Sequence, residues 1–270
     1  MPDHLLAVHG VLGLVCAVGE KGRITMFKGD LYHPVEAEIV TTHDLRAVFV
    51  ESPWSAWACG DAGTVLRWDG ARWWPQATGT RLDALNAIWG HPADGLWFGG
   101  RRHMFNRHPT YGSSLYDADA EIRAIWGRGP DDLWFLCAGR LALHWNGEGA
   151  ERHELPGDDD EEWTAVAGTP EGDTFIVGLS GFMLWTNGQR WEEIATDTTD
   201  LITGAVCTAG LLYVVTEGGQ VREWNGRRWR TVAFSAFGPI HGLCVVDGVL
   251  WACGARGVVI QHRPDERGEP

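Results

Sequence analysis

The residues of this chain best placed to do chemistry are carboxylates at one recurring position. Asp44, Asp83, Glu121, Glu162 and Asp200 each stand one or two residues ahead of a short apolar run, and Asp3 comes close to the same place. Carboxylates gathered around one opening would form an acidic collar that attracts a basic protein segment or a cation. The same positions also suit strand-start turns, where Asp accepts backbone hydrogen bonds. The loop Gly157-Asp158-Asp159-Asp160-Glu161-Glu162 extends the acidic run. It lacks the alternating ligands and central glycine of an EF-hand loop, so it supports calcium only weakly.

The opposite charge is concentrated once. Arg101, Arg102 and Arg107 fall within Arg101-Arg102-His103-Met104-Phe105-Asn106-Arg107-His108, a basic cluster in an acidic chain. It suits an acidic partner surface, or simply a solvated outer strand.

No catalytic constellation accompanies these charges. The sequence contains no G-x-S-x-G, H-E-x-x-H, Walker loop or dinucleotide fingerprint. The eleven histidines are scattered. His9 stands where Trp89 and Trp126 stand in their own segments, and His262 where Trp68 stands, so both read as packing replacements. The six cysteines form no C-x-x-C pair and lie mostly in apolar runs. They read as small buried hydrophobes in a reducing, cytoplasmic setting, and no cofactor or metal is assigned.

The elements that must position these residues repeat. Apolar runs start at Leu5, Leu45, Leu85, Ile122, Trp163, Ile202 and Ile240, spaced 40, 40, 37, 41, 39 and 38 residues apart. A second signal keeps step as G-x-x-G-x6-G: Gly19, Gly22, Gly29; Gly60, Gly63, Gly70; Gly178, Gly181, Gly188. Each unit divides into four short strands. The first Gly pair predicts a tight turn that uses positive φ. Asp69-Gly70, Asn146-Gly147, Asn187-Gly188 and Asn225-Gly226 predict two-residue hairpins between the third and fourth strands. In that register Leu66 pairs with Trp73, and Trp68 and Trp73 meet diagonally. Trp224 and Trp229 share this frame, with Phe27 and Tyr32 in the first unit. Trp145 keeps one partner, and Tyr111 stands in for the outer Trp of the third unit.

Antiparallel four-stranded units at this period predict an all-β, single seven-bladed β-propeller. The blades span approximately 5–44, 45–84, 85–121, 122–162, 163–201, 202–239 and 240–262, with a polar tail at 263–270, all in one domain. Sixteen tryptophans suit the wedges between blades, Trp54 and Trp74 being those expected outside. The last blade is expected to have three strands and an open edge, discouraged from pairing by Pro264 and its charged neighbours.

The segments Ala124-Ile125-Trp126-Gly127 and Trp57-Ala58-Cys59-Gly60-Asp61-Ala62-Gly63-Thr64-Val65-Leu66-Arg67-Trp68-Asp69-Gly70 resemble bacterial Trp-rich propeller repeats. These are similar to photosystem II assembly-factor-like and sialidase-repeat-like propellers. The resemblance implies a rigid docking platform and carries no chemistry. The sialidase box S-x-D-x-G-x-T-W is not present in that form, and the Gly-His and Trp-Asp endings of WD repeats do not match the repeat here.

Charge narrows the partners. With 22 basic and 36 acidic residues the chain carries −14, unsuited to coating nucleic acid or an anionic membrane. Leu5–Gly19 is apolar but has no basic flank, so it reads as structure and not as a leader. The expectation is a non-catalytic scaffold or subunit of a bacterial multiprotein complex that binds protein partners through the collar and the basic third blade. Two alternatives stand beside it: an immunity-type or regulatory inhibitor masking a basic toxin or enzyme, and a lyase or glycan hydrolase using the central channel.

Overall fold

The computed structural model describes residues 3–29, 33–78, 83–92, 95–108, 112–158 and 161–263. They form seven antiparallel sheets, six of four strands and a last one of three. Within each sheet the strands pair in chain order, so every blade is a meander. The seven inner strands are Leu5–Val11, Leu45–Ser52, Leu85–His91, Ile122–Gly129, Trp163–Gly168, Ile202–Thr208 and Ile240–Val246. Each packs beside the inner strand of the next blade, and Ile240–Val246 packs beside Leu5–Val11 to close the ring. No helix among the described residues is long and apolar enough to cross a membrane.

The second strand of each blade shows why blades must stack. Leu14–Gly19, Ser55–Gly60 and Asp132–Cys137 are almost wholly apolar and buried on both faces. A strand that sends side chains alternately to two buried sides needs a neighbour on each. The described residues accordingly hold seven hydrophobic clusters, one at each junction between blades. Ala56 and Ala58 turn toward blade one, while Trp57 and Cys59 turn toward blade three. The ring closes by the same device, with Val8, Val15 and Phe27 meeting Val246, Trp251 and Cys253. No strand is exchanged between first and last blades among the described residues. Val259–His262 is the outermost strand of blade seven. Pro264 and the rest of the expected tail lie outside the described residues, apart from Arg263.

The outer hairpins differ from the expected register. Trp68 pairs directly with Trp73, and Leu66 with Pro75, so the loop Asp69–Arg72 has four residues, not two. The reason is the Asp69 side chain, whose Oδ1 accepts the backbone N–H groups of Ala71 and Arg72, both at 2.9 Å. Asn146 and Asn225 do the same in blades four and six. The aromatic contact survives the change: the Trp68 and Trp73 rings lie 5.9 Å apart, and Trp224 and Trp229 6.1 Å apart. Tyr32 lies outside the described residues.

Candidate functional site: the upper face and its cleft

The face where the inner strands begin also carries the turns between second and third strands; we call it the upper face. Its geometry is set by the paired glycines. The residue after the first Gly donates its N–H to the carbonyl just ahead of the inner strand: Glu20 to His4, Asp61 to Asp44, Leu179 to Glu162 and Ala255 to Pro239, at 2.8–3.0 Å. A Cβ on Gly19, Gly60, Gly178 or Gly254 would sit 1.9–2.2 Å from that same oxygen. These glycines are extended, with φ between −169 and −176°. Close approach of two chain segments, not positive φ, is therefore what demands the first glycine. Positive φ falls on the second glycine, as at Gly63 (67°), and on the residue before it, Ala62 (54°).

This lock fixes the backbone that bears the carboxylates, and their side chains are shared out differently. Asp44 Oδ1 accepts the backbone N–H of Lys21 on blade one at 2.8 Å. Lys21 Nζ meets Asp3 at 2.6 Å, which holds the Asp3 carboxyl below its ordinary range. Glu121 Oε1 accepts from Asn86 Nδ2 at 3.0 Å, and Glu162 Oε1 lies 3.5 Å from Arg123 Nη2. Asp200 Oδ2 accepts from the Thr216 hydroxyl within its own blade at 3.2 Å. Asp83 is exposed.

A second set of residues emerges here that the sequence reading missed. The second residue of several inner strands is polar and reaches the first residue of the next blade's inner strand. Asn86 donates to the Ile122 carbonyl, Arg123 to Trp163, Thr164 to Ile202 and Thr203 to Ile240, at 2.5–3.2 Å. The signal was present as one polar residue at the second place of six of the seven apolar runs, the first having Leu6 there. At the closing junction His241 holds this place, its ring 6.0 Å from that of His4.

The structure divides the basic cluster. Arg101 and Arg102 form the turn between strands Gly95–Gly100 and His103–His108, exposed on the upper face. Arg101 lines a cleft of about 740 Å³ together with Arg46, Asn86, Asp83 and Glu121. Arg46 Nε also meets Asp61 Oδ1 at 2.6 Å, and that contact holds its guanidinium above its ordinary pKa. Arg107 lies elsewhere. Its guanidinium stands 4.8 Å from the Trp57 ring centre, in a groove between blades two and three. Around blades two to four the collar is thus a mixed-charge surface, with carboxylates and guanidinium groups facing one opening.

The remaining candidates settle into packing or lie at the margin. His9 packs against Phe49, the ring centres 4.8 Å apart and the planes tilted by 30°, and its Nδ1 accepts the Val50 N–H at 3.0 Å. Burial lowers its pKa to about 4. It does replace a tryptophan: His9 pairs with Cys16 as Trp89 pairs with Trp97. All six cysteines are free thiols, and five are buried. Burial pushes Cys244 up to about 12, far from a reactive thiolate. Trp54 and Trp74 are the exposed tryptophans, as expected. Tyr111 lies outside the described residues, and so do Asp159 and Asp160 of the acidic loop. Tyr116, on the outer strand of blade three, sits between Trp97 (5.6 Å) and Trp145 (5.4 Å).

Seven meander blades around a closed ring, with charged turns on one face, define a seven-bladed β-propeller. No protein-family model matches the chain, and no curated protein does. Among solved structures it is similar to one described as YCF48 bound to D1 peptide, with a TM-score of 0.78 and 13% identity over 97% of this chain and 94% of that one. At that identity the likeness is one of fold, consistent with the resemblance to photosystem II assembly-factor-like propellers. As many as 1309 solved chains match, so the architecture alone does not select a function.

Proposed function

We propose that this propeller is a non-catalytic protein-interaction scaffold that holds an extended segment of a partner in the upper-face cleft. The carrying observation is that Asp83 and Glu121 of the collar and Arg101 of the third blade line one opening, together with Arg46 and Asn86. Charges of both signs on a rigid rim suit a peptide bearing a basic side chain beside an acidic group, and give register more than raw affinity. The fold supports rigidity, because each of the blades that bear the cleft is buried against both neighbours. The solved propeller of similar fold that was captured with a peptide supports the reading by analogy. Asp44 and Glu162 flank the cleft region as members of the same collar, and Arg102 adjoins it on the turn. Arg107 stands apart over Trp57 and belongs to the scaffold's packing in this reading.

The test is recovery of the partner with the full chain as bait, followed by binding of that partner to Glu121→Lys and Arg101→Glu chains. Each reversal is expected to weaken binding at least tenfold and to change its salt dependence. Unchanged affinity in both folded variants contradicts the proposal.

A further inference from the structure

Away from the cleft, the outer half of blade four carries a group of ligands that the scaffold reading leaves unused. His144 on strand Leu141–Trp145 pairs directly with Glu151 on strand Ala150–Glu154. His153 follows Glu151 by two residues, so it stands on the same face of the sheet. One ligating atom from each of these three residues lies within 4.8 Å of the other two.

Their surroundings resemble a prepared site more than a chance meeting of polar groups. Asp132 Oδ1 lies 2.8 Å from His144 Nε2, which fixes that ring and leaves Nδ1 available to ligate. A carboxylate behind an imidazole is the usual way a metal-binding histidine is oriented. Asp132 is itself held by Arg128 at 2.5 Å. His153 Nε2 is buried and has no hydrogen-bond partner, an uncompensated cost that a bound ion would remove. Trp134 stacks on His144 at 4.4 Å, stands 5.0 Å from His153, and is backed by Trp191 of blade five at 5.3 Å. Glu151 is exposed, so the group is open to solvent on one side.

We propose that His144, Glu151 and His153 bind one divalent transition-metal ion of the zinc type, with water completing its coordination. Two imidazoles and a carboxylate suit zinc, cobalt or nickel better than calcium or magnesium, which favour all-oxygen shells. Ligands about 2.0–2.1 Å from a tetrahedral ion stand roughly 3.4 Å apart. The exposed Glu151 side chain turns inward to close the remaining distance. The ion then fastens the outermost strand of blade four to its neighbour.

The test uses the full chain, stripped with chelator and titrated with Co²⁺ and with Zn²⁺. Visible absorption reports cobalt coordination, calorimetry gives stoichiometry, and thermal unfolding reports zinc. One ion per chain is expected, with a raised unfolding midpoint. His153→Gln and Glu151→Gln lose stoichiometric binding, and His33→Ala on blade one keeps it. Asp132→Asn weakens binding roughly 10- to 100-fold, as second-layer changes do. His144→Ala risks the fold because His144 is stacked on Trp134, so the Gln variants on the outer strand decide the matter. Failure of the wild-type chain to bind either ion overturns the proposal, as does one ion still bound by folded His153→Gln and Glu151→Gln. Neither result bears on the cleft, which is lined by residues at the entries to the inner strands and at the Ala62 and Arg101 turns, none of them in the outer half of blade four.

Discussion

Asn86 Nδ2 lies 3.0 Å from Glu121 Oε1 and 3.0 Å from the Ile122 carbonyl, so one amide joins blade three to the collar carboxylate and the inner strand of blade four. Glu121, a residue of the proposed partner surface, is therefore also part of the ring's own fastening. Asn86→Leu removes both bonds and leaves the carbonyl of the buried Ile122 without this donor. It is expected to destabilise the protein by about 1–3 kcal/mol, measured by denaturant unfolding. A change within error would mean that water replaces Asn86 without loss.

Gly60 approaches the Asp44 carbonyl so closely that an added Cβ would stand 1.9 Å from the oxygen. The clash is with backbone, which cannot swing aside. Gly60→Ala is expected to cost more than about 4 kcal/mol or to abolish folding. Gly149→Ala, with nothing within 4 Å of the new methyl and no positive φ, is expected to be nearly neutral. Equal midpoints for the two variants would refute the close-approach account of the first glycine.

Trp73 and Trp74 are neighbours with opposite roles. Trp73 is 5% exposed in the junction of blades one and two, while Trp74 is 38% exposed and donates to Asp69 at 2.7 Å. Trp73→Ala is expected to cost about 3–5 kcal/mol, the range for emptying a large core site. Trp74→Ala should cost about 1 kcal/mol or less. Thermal or urea unfolding of both chains separates the two roles.

His9 gives the fold a pH dependence whose sign can be worked out. Its folded pKa is lowered to about 4 by burial, against about 6.5 in an unfolded chain. Above pH 6.5 the ring is neutral in both states and its contribution is complete. Between about 6.5 and 4 the unfolded chain takes up a proton that the folded one refuses, so stability falls as pH falls. Protonation would also oppose acceptance of the Val50 N–H at Nδ1. Unfolding midpoints at pH 7 and pH 4.5 should differ less in His9→Phe than in the parent chain, although the variant is less stable at pH 7. An unchanged difference would remove His9 from the account.

Fold and site were legible to different depths. Seven strand starts in step with paired glycines specify the propeller, because every blade must solve the same packing problem and leaves the same trace. The hairpin length was misread because Asp69-Gly70 predicts a two-residue turn only if the Asp side chain stays idle. In the structure it caps the next two N–H groups and lengthens the loop. The basic cluster looked continuous in sequence, yet a turn and a strand send Arg101 and Arg107 to different surfaces. Asn86 and Arg123 could have been found as polar second residues of apolar runs, although their targets lie on the next blade. The grouping of His144, Glu151 and His153 depends on the cross-strand register of one hairpin, which spacing alone does not give.

The account rests most heavily on a partner segment lying in the cleft between Arg101, Asp83 and Glu121. Amide hydrogen exchange of the full chain, with and without its recovered partner, tests this most directly. The account predicts new protection at residues 44–46, 83–86, 100–102 and 121–123, with the outer strands unchanged. Protection confined to the outer strands or the opposite face would contradict it.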